Sequence, residues 1–518
     1  MVRWASAATL HSSAMTWREY HESTKHSVES LRRVRHVLDW ANMPDSFRHD
    51  EGVPVLDLPA DPPAPEISAL ELLQGSRGST SAEDGPAFLS QLLFHSAAVS
   101  ASKRVPSTGY QYALRVNPSS GNLHPTEFHF ITRGLQQWPD GLYHYRPSSH
   151  MAEQRARGDF TTKLAGGFAP IVFVLTSIAW REAWKYRDRA YRYCLHDMGH
   201  AWQALALAAR AIGCDACAIG HFPDDEVARL CRLSGDEWPM LMVTLQGGSI
   251  PVRDPDGGEA VWYGGSANQL SSEQVPYPSI DSMHAATKLK GSECGCISEA
   301  EPALSGSGEI KLPSPASSIR RFGEVVRKRR SALDFVGTGN LSISRAQLSA
   351  ILAATAQPFQ ADFAGARFFQ LYLYAHRVDG LAPGVYRHWP GHAELEQIRS
   401  GDQRVAAAGL SLGQDLAGNA CVAFSMIADL DRAVSSHGDR GYRYVHFEAG
   451  AIGQRLYLAA ESLGLGATGI GAFFDDEVHR YLNLASRQRQ VVYHFAIGYP
   501  VRDPRLSWEI GPVTFPGQ

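Results

Sequence analysis

Three short stretches carry residue types whose spacing could do chemistry. In RKRRS, Arg327 to Ser331, Arg329 and Ser331 stand two apart, so a guanidinium fork and a hydroxyl could converge on a phosphate. Alone, the stretch reads more simply as a solvated basic helix end that complements a C-terminal dipole. PSSGN, Pro118 to Asn122, supplies a proline that fixes φ, two hydroxyls, and a glycine that lets backbone approach a planar ligand. Alone, it is an ordinary turn. GIGAF, Gly469 to Phe473, could lay bare backbone N–H groups against a ring, or could be a strand with a bulge.

The elements that would position these stretches come in two copies. YRYCLHDMGHAWQALALAARAIGCDACAIGHFPDDEVARLCRL, from Tyr191, matches YRYVHFEAGAIGQRLYLAAESLGLGATGIGAFFDDEVHRYLNL, from Tyr442, at a constant offset of 251 residues. Tyr191/Tyr442, Gly199/Gly450, Gln203/Gln454, Gly213/Gly464, Gly220/Gly471 and Phe222/Phe473 are identical. Upstream, DGLYHYRP from Asp140 echoes PGVYRHWP from Pro383. Two colinear echoes indicate tandem domains rather than short solenoid repeats. Each copy reads as helix, strand, hairpin-like turn, strand, long helix, strand. The long helix, Leu195 to Ala211 and Phe447 to Leu463, is nearly apolar all round, which suits a core or a dimer interface. A following Ile-Gly or Leu-Gly signals its C-cap, and DDEV opens the next helix with acids that suit an N-terminal dipole. The expected fold class is α+β: two tandem domains, each a mixed sheet flanked by helices, packed as an intramolecular pseudodimer. The expected divisions are an N-terminal extension at 1–85, a first domain at 86–265, a Ser/Pro/Gly-rich linker at 266–318 and a second domain at 319–518.

Composition narrows the function. The 518 residues exceed one ordinary domain, and 44% apolar with 20% charged residues is ordinary for a soluble globular protein. A net charge of -4 gives no basic face, so nucleic acid is not an expected partner. No apolar run approaches the roughly 20 residues of a membrane helix, and Ile171 to Leu175 reads as a buried strand. Seven cysteines make no disulfide scaffold, so a reducing cytoplasm is the default location. The opening MVRWASAATLHSSAM reads as an extended start ahead of Met15 rather than an export signal. Cys214-x-x-Cys217 with His221 and Cys231 has zinc-ligand types, but the pair falls where a helix turns into a buried strand, and the second copy has Leu465 and Thr468 there; no metal site is expected. Cys294-x-Cys296 reads as an incidental linker pair. His196 and His200, one turn apart on an apolar helix, read as packing or interface hydrogen bonding.

Taken together and in this order, the pieces resemble the nitroreductase superfamily of FMN enzymes, and more closely its SagB/ThcOx branch, the azoline and peptide dehydrogenases of thiazole- and oxazole-forming pathways. The resemblance covers Phe88 to Gly247 and Ser318 to Pro500. It implies a flavin between two subunits. Arg-x-Ser of one subunit holds the phosphate and the Pro-Ser-Ser loop of the other packs on the flavin. A glycine-containing strand places a backbone N–H near flavin N5, and a basic residue after the last strand reaches the phosphate. Carried over, Arg329, Ser331, Ile470, Gly471 and Arg502 fit in the second copy, and Pro118, Ser119, Ser120 and Asn122 in the first. The reciprocal site would need Arg-x-Ser where the first copy has FHSAAVSAS, Phe94 to Ser102. It would also need a Pro-Ser loop where the second copy has Ala361, Asp362 and Phe363. The resemblance therefore implies one FMN per chain.

The branch also carries a Lys-Tyr pair before the YRY helix, used there in substrate proton handling. Here it is Lys185-Tyr186, against Ser436-His437 in the second copy. Either side chain could take a proton if burial or charge lowered its pKa; otherwise the pair is an exposed helical lysine and an aromatic anchor. YHESTKHS, Tyr20 to Ser27, resembles the start of several family members and would cover the flavin or bind substrate. One departure stands out: two residues past the phosphate-side serine the family has Arg or Lys, and this chain has Leu333, so a reduced, anionic flavin would be harder to stabilise. The implied function is an FMN-dependent oxidoreductase of the azoline- or peptide-dehydrogenase type, in which Lys185 or Tyr186 takes a proton while flavin N5 takes a hydride. One alternative is a reductase drawing electrons from NAD(P)H for nitro, quinone or enone acceptors; another is a non-catalytic module that binds a peptide or partner. The expected partner is a small-molecule or peptide substrate, with the chain acting as a monomeric pseudodimer.

Overall fold

The computed structural model describes residues 15–33, 37–107, 109–164, 169–290, 306–363, 368–484 and 489–507; Cys294 and Cys296 lie outside them. Helix α1 (Trp17–Ser23) opens on a capping box between Thr16 and Glu19. The first copy then runs α2 (Gly85–Phe94), a hairpin of β1 (Val99–Arg104) and β2 (Gln111–Arg115), β3 (Thr126–Thr132), β4 (Gly141–Arg146), β5 (Met151–Arg157), β6 (Ile171–Ser177), α3 (Ala179–Tyr186), α4 (Ala190–Ala211), β7 (Asp215–Ile219), α5 (Asp224–Cys231) and β8 (Trp238–Gln246). The second copy follows a similar course. It runs α6 (Phe322–Lys328), α7 (Arg345–Ala356), β9 (Phe369–Ala375), β10 (Gly384–Trp389), β11 (Glu394–Ser400), β12 (Val422–Asp429), α8 (Leu430–His437), α9 (Gly441–Ser462), β13 (Gly466–Ile470), α10 (Asp475–Tyr481), β14 (Arg489–Gly498) and a short β15 (Leu506–Ser507). Where the first copy has the β1–β2 hairpin, the second has helix α7.

The two sheets share one topology, β5-β4-β3-β6-β8-β7 and β11-β10-β9-β12-β14-β13. These strand pairs are all antiparallel, and among the described residues parallel pairing is confined to isolated bridges such as Ser331↔Ala467 and Ala218↔Ala361. The upstream echo encodes one local device in both copies. A Cβ on Gly141 would lie 2.3 Å from the Ala156 carbonyl oxygen, and one on Gly384 would lie 2.4 Å from that of Arg399. A bulge follows at Leu142/Tyr143 and at Val385/Tyr386. Each tyrosine then donates back four residues, Tyr143 to the Pro139 carbonyl at 2.7 Å and Tyr386 to that of Ala382 at 2.6 Å.

Helices α4 and α9 pack on each other at the centre of the molecule, backbone against backbone. A Cβ on Gly199 would lie 2.1 Å from the Phe447 carbonyl oxygen, and one on Gly450 would lie 2.0 Å from that of His196. Both helices begin at the YRY motif, a turn or more before their apolar pattern starts, because those first turns are buried against the other copy. Arg192 and Arg189 meet Asp475 at 2.9 and 3.1 Å, and Arg443 and Arg440 meet Asp224 at 2.7 and 2.5 Å. These crossed pairs obey the 251-residue offset. The DDEV acids do open helices, as expected, but Asp224 and Asp475 also tie each copy to the other. Burial alone would raise the Asp475 carboxyl; Arg189 and Arg192 hold it down to about 2.

The segment at 266–318 carries a helix at Pro278–Ala286, and Thr287 just beyond it accepts from Arg443 Nε at 2.7 Å. The N-terminal extension is anchored by a buried ionic knot. His144 lies between Glu153, at 2.9 Å, and Glu127, at 3.2 Å, while Arg155 pairs with Asp50 and Arg181 with Glu127. Asp50, His144 and Glu153 have metal-ligand spacing. Burial opposes the imidazolium charge, but the flanking carboxylates raise His144 to about 10, so both ring nitrogens act as donors here. Among the described residues no helix is long and apolar enough to cross a membrane.

Candidate functional site

A cavity of about 580 Å³ opens between the copies. Its walls bring together Pro118, Ser119, Ser120 and Asn122 of the first copy with Arg329, Ser331, Ile470 and Gly471 of the second; Tyr186 also lines it. Lys185 is not part of the wall but lies against the same loop at Gly121. Arg502 and Leu333 are exposed and do not enter the wall.

Each wall has a local cause. Arg329 caps the C-terminus of α6, and its side chain is turned inward, 3% exposed. Its Nε and Nη2 donate to the carbonyls of Val116 and Arg115, at 3.0 and 3.2 Å, just ahead of the PSSGN loop. Its Nη1 is buried without a hydrogen-bond partner among the described residues. Ser331 Oγ lies 2.8 Å from Tyr457 Oη, which accepts from the Gly469 N–H at 2.9 Å. At the end of β13 the glycines are required by crowding: a Cβ on Gly469 would lie 2.0 Å from Tyr493 Oη, and one on Gly471 would lie 2.0 Å from Tyr193 Cε1. Tyr193 donates to the Gly471 carbonyl at 3.1 Å and fixes that peptide.

The PSSGN loop is a tight turn held from both sides. Gly121 and Asn122 adopt left-handed φ of 59° and 60°, the region where glycine and asparagine are most at home. Asn122 Nδ2 donates to the Ala113 carbonyl at 2.9 Å, and Ser119 Oγ accepts from the His124 N–H at 2.8 Å. Ser119 and Ser120 turn toward Asp197 on α4, with Ser119 Oγ 2.5 Å from its Oδ2. A Cβ on Gly121 would lie 2.8 Å from Tyr186 Oη and 3.1 Å from Lys185 Nζ, so the Lys-Tyr pair presses directly on the loop. Burial, then Glu182, pushes the Tyr186 phenol well above its ordinary range.

The equivalent place in the other half is filled. Gly220, the counterpart of Gly471, donates its N–H to Asp362 Oδ1 at 2.7 Å, and His221 donates to Oδ2 at 3.1 Å. Phe363 stacks on Tyr444, the counterpart of Tyr193, at 4.2 Å with 8° between planes, and its ring lies 2.6 Å from where a Gly220 Cβ would be. The bridge between Ala218 and Ala361 seats this plug on β7. What remains is a cavity of about 200 Å³, walled in part by Ala206, where the larger site has Tyr457, and by Arg455. In FHSAAVSAS, His95 and Ser96 turn back onto the Gln91 and Leu92 carbonyls of their own helix.

Besides Arg502, two sequence expectations change. Tyr20 to Ser27 do not line the cavity. His21 meets Tyr442 at 3.2 Å and the His26 N–H donates to Asp475 at 3.0 Å, so this segment braces the interdomain arginine pairs. The N-terminal contribution to the cavity wall instead comes from Trp40, Met43, Asp45 and Phe47, beside Tyr110 and Tyr112 of the hairpin. His196 and His200 are buried at the α4–α9 interface, as expected, but His200 also lines the cavity, 3.2 Å from Tyr493 Oη. Tyr193, Asp197 and His200 thus form an i, i+4, i+7 stripe on α4, a polar and aromatic pattern hidden within an apolar helix.

Comparisons with known proteins follow the same two-part division. The nitroreductase family model matches residues 95–248 and 326–499. The Methanocaldococcus jannaschii protein MJ1384, assigned as a nitroreductase, is 32% identical over 183 residues, covering 34% of this chain and 90% of that protein. The trifolitoxin-processing protein TfxB of Rhizobium leguminosarum bv. trifolii is 24% identical over 248 residues, covering 43% of this chain and 65% of that protein. A crystal structure from Anabaena variabilis ATCC 29413, also assigned as a nitroreductase, aligns with a TM-score of 0.74 at 28% identity, over 93% of this chain and 99% of that one. With both copies matched and the sheet topology repeated, this chain belongs to the nitroreductase family, as two tandem family domains in one polypeptide.

Proposed function

We propose that this nitroreductase-fold oxidoreductase binds one FMN per chain in the composite cavity and dehydrogenates an azoline-type ring in a peptide or small-molecule substrate. The observation that carries the proposal is the pairing of one open composite cavity with a plugged mate. The residues present fit FMN. Arg329 offers a preorganised guanidinium with one buried donor to spare, and Ser331 adds a hydroxyl, a suitable combination for a phosphate. Gly469, Ile470 and Gly471 line the cavity together with the PSSGN loop, and the volume lies within the usual range of about 300–1,000 Å³ for cofactor sites. Arg502 does not face the cavity, so the phosphate role falls to Arg329 and Ser331.

FMN, when bound, supplies a two-electron acceptor that takes a hydride at N5. The chain's own residues handle the rest. The aromatic part of the wall, Trp40, Phe47, Tyr110 and Tyr112, receives the substrate and limits water. Tyr186, held protonated by burial, orients the substrate by donating a hydrogen bond, and Lys185 beside it takes the substrate proton. The family relation to TfxB, a toxin-processing protein, supports a peptide substrate. The free state of Cys194, Cys214, Cys217, Cys231 and Cys421 suits a reducing compartment such as the cytoplasm.

One observation favours a second reading. Tyr186, kept protonated by burial, offers a hydrogen-bond donor at the cavity wall, which also suits an acceptor oxygen of a nitro, quinone or enone substrate reduced with NAD(P)H as the electron source. Anaerobic stopped-flow absorbance on the FMN-loaded chain separates the two. Flavin bleaching by an azoline-containing peptide supports the dehydrogenase. Bleaching by NADPH without response to the peptide assigns the reductase. A chain that takes up no FMN would be a non-catalytic module.

A further inference from the structure

We infer that Asp197 and Glu182 form one acid pair with a single shared proton, and that through it Asp197 is a positioning residue holding the PSSGN loop against Lys185 and Tyr186. The inference rests on the reading of Lys185 and Tyr186 as the proton-handling groups.

Asp197 is 3% exposed and accepts from both serines of the loop. Ser119 Oγ donates to Oδ2 at 2.5 Å, the Ser120 N–H to Oδ1 and Oδ2 at 3.1 and 3.0 Å, and Ser120 Oγ to Oδ1 at 3.0 Å. Such a set of donors suits a carboxylate that carries charge. One residue further, Gly121 packs so close that a Cβ there would lie 2.8 Å from Tyr186 Oη and 3.1 Å from Lys185 Nζ, so a shift of the loop changes its contact with those two groups.

Glu182 lies on α3, one turn ahead of Tyr186. It is fully buried, neither of its oxygens accepts a hydrogen bond of ordinary geometry from a described residue, and its carboxyl lies against that of Asp197. The titratable side chains facing the pair are Lys185 and Tyr186 of α3, Tyr193 and Cys194 of α4, and Tyr493 of β14. Lys185 is the one basic side chain in that set, so at most one carboxylate charge is balanced, and none while its amine is neutral and ready to take a proton. A proton on Glu182 gives its carboxyl a donor; Asp197 and the Ser119 hydroxyl are both in reach, and Asp197 is the charged acceptor of the two. The electrostatics agree: burial pushes Glu182 well above the carboxylate range and raises Asp197 to about 6 despite its serine donors. The second copy sharpens the assignment. It keeps an acid at Glu448 for Asp197, but has Ala433, Ser436 and His437 in place of Glu182, Lys185 and Tyr186, so the pair and the groups it serves are absent together.

Difference infrared spectroscopy of the flavin-free protein at neutral pH tests the pair without any cofactor. The expected result is a protonated-carboxyl C=O band that disappears in Glu182→Gln and shifts in Asp197→Asn. No such band in the wild type, or a band untouched by Asp197→Asn, overturns the inference. FMN titration tests the positioning. Asp197→Asn should weaken binding about tenfold, whereas Glu182→Gln, which keeps a donor toward Asp197, should stay within about threefold. Equal effects of the two variants overturn the positioning role. A wild type that binds no FMN counts against the flavin reading and leaves the infrared result to decide the acid pair.

Discussion

Gly471 and Gly220 occupy the same place in the two copies, yet one faces a cavity of about 580 Å³ and the other faces the carboxylate of Asp362 and the ring of Phe363. Around them the frame is symmetric. Gly199 meets the second helix as Gly450 meets the first, and the Arg192–Asp475 pair is mirrored by Arg443–Asp224. Packing is a demand made on both halves at once, because a helix interface has two sides and each side must fit. A composite site draws a different part from each half. Its mate can therefore be filled in without disturbing the frame, provided that the buried N–H groups of Gly220 and His221 still find an acceptor. Asp362 is that acceptor.

The largest expected effect tests the symmetric frame. Asp475→Ala leaves Arg189 and Arg192 buried without their shared carboxylate and should cost about 3–5 kcal/mol, and Asp224→Ala should cost a similar amount by stranding Arg440 and Arg443. Urea unfolding measures both; a large cost from one and none from the other would break the symmetry claimed for the frame. The pH dependence follows in sign. Asp475 is held at about 2 when folded, below the roughly 3.9 of an unfolded aspartate. Its stabilisation is therefore fully present above pH ~4 and is lost as pH falls through about 2. The gap in stability between wild type and Asp475→Asn should close over that window.

Next in size is Arg329→Ala, which removes the spare buried donor and should weaken FMN binding by about 100-fold, measured by flavin fluorescence. Ser96→Ala, in the corresponding stretch of the first copy, should leave FMN binding unchanged, and equal effects would refute the single-site assignment. Smaller still is Asp362→Ala. It strands two backbone donors and should cost about 1–3 kcal/mol of stability with no change in FMN affinity. A second equivalent of bound FMN in that variant would mean that the plug alone silences the mate.

Much of this was legible in the sequence because the chain contains its own comparison. The 251-residue offset exposed the duplication, and the unequal survival of PSSGN and RKRRS pointed to one site shared across the copies. The long helices were legible by periodicity, but their first turns were not. Tyr191 to Tyr193 read as polar until the other copy buries them, and the acids of DDEV satisfied a local rule before they satisfied a distant arginine. Asp197 was hidden for a related reason: one acid in an apolar helix has no local signature, and only the fold brings it beneath the PSSGN loop. Arg502 is exposed and outside the cavity wall, although the segment after β14 runs on to β15, which pairs with β1 of the first copy. The wall residues between Trp40 and Phe47 lie far upstream of both copies, so nothing local marked them.

The count of flavins tests the central claim most directly. The purified chain, saturated with FMN and freed of excess by gel filtration, can be assayed for flavin by absorbance after denaturation and for protein by amino-acid analysis. One FMN per polypeptide, lost on Arg329→Ala, is the expected result. Two per polypeptide, or none, would contradict a single composite site between the halves.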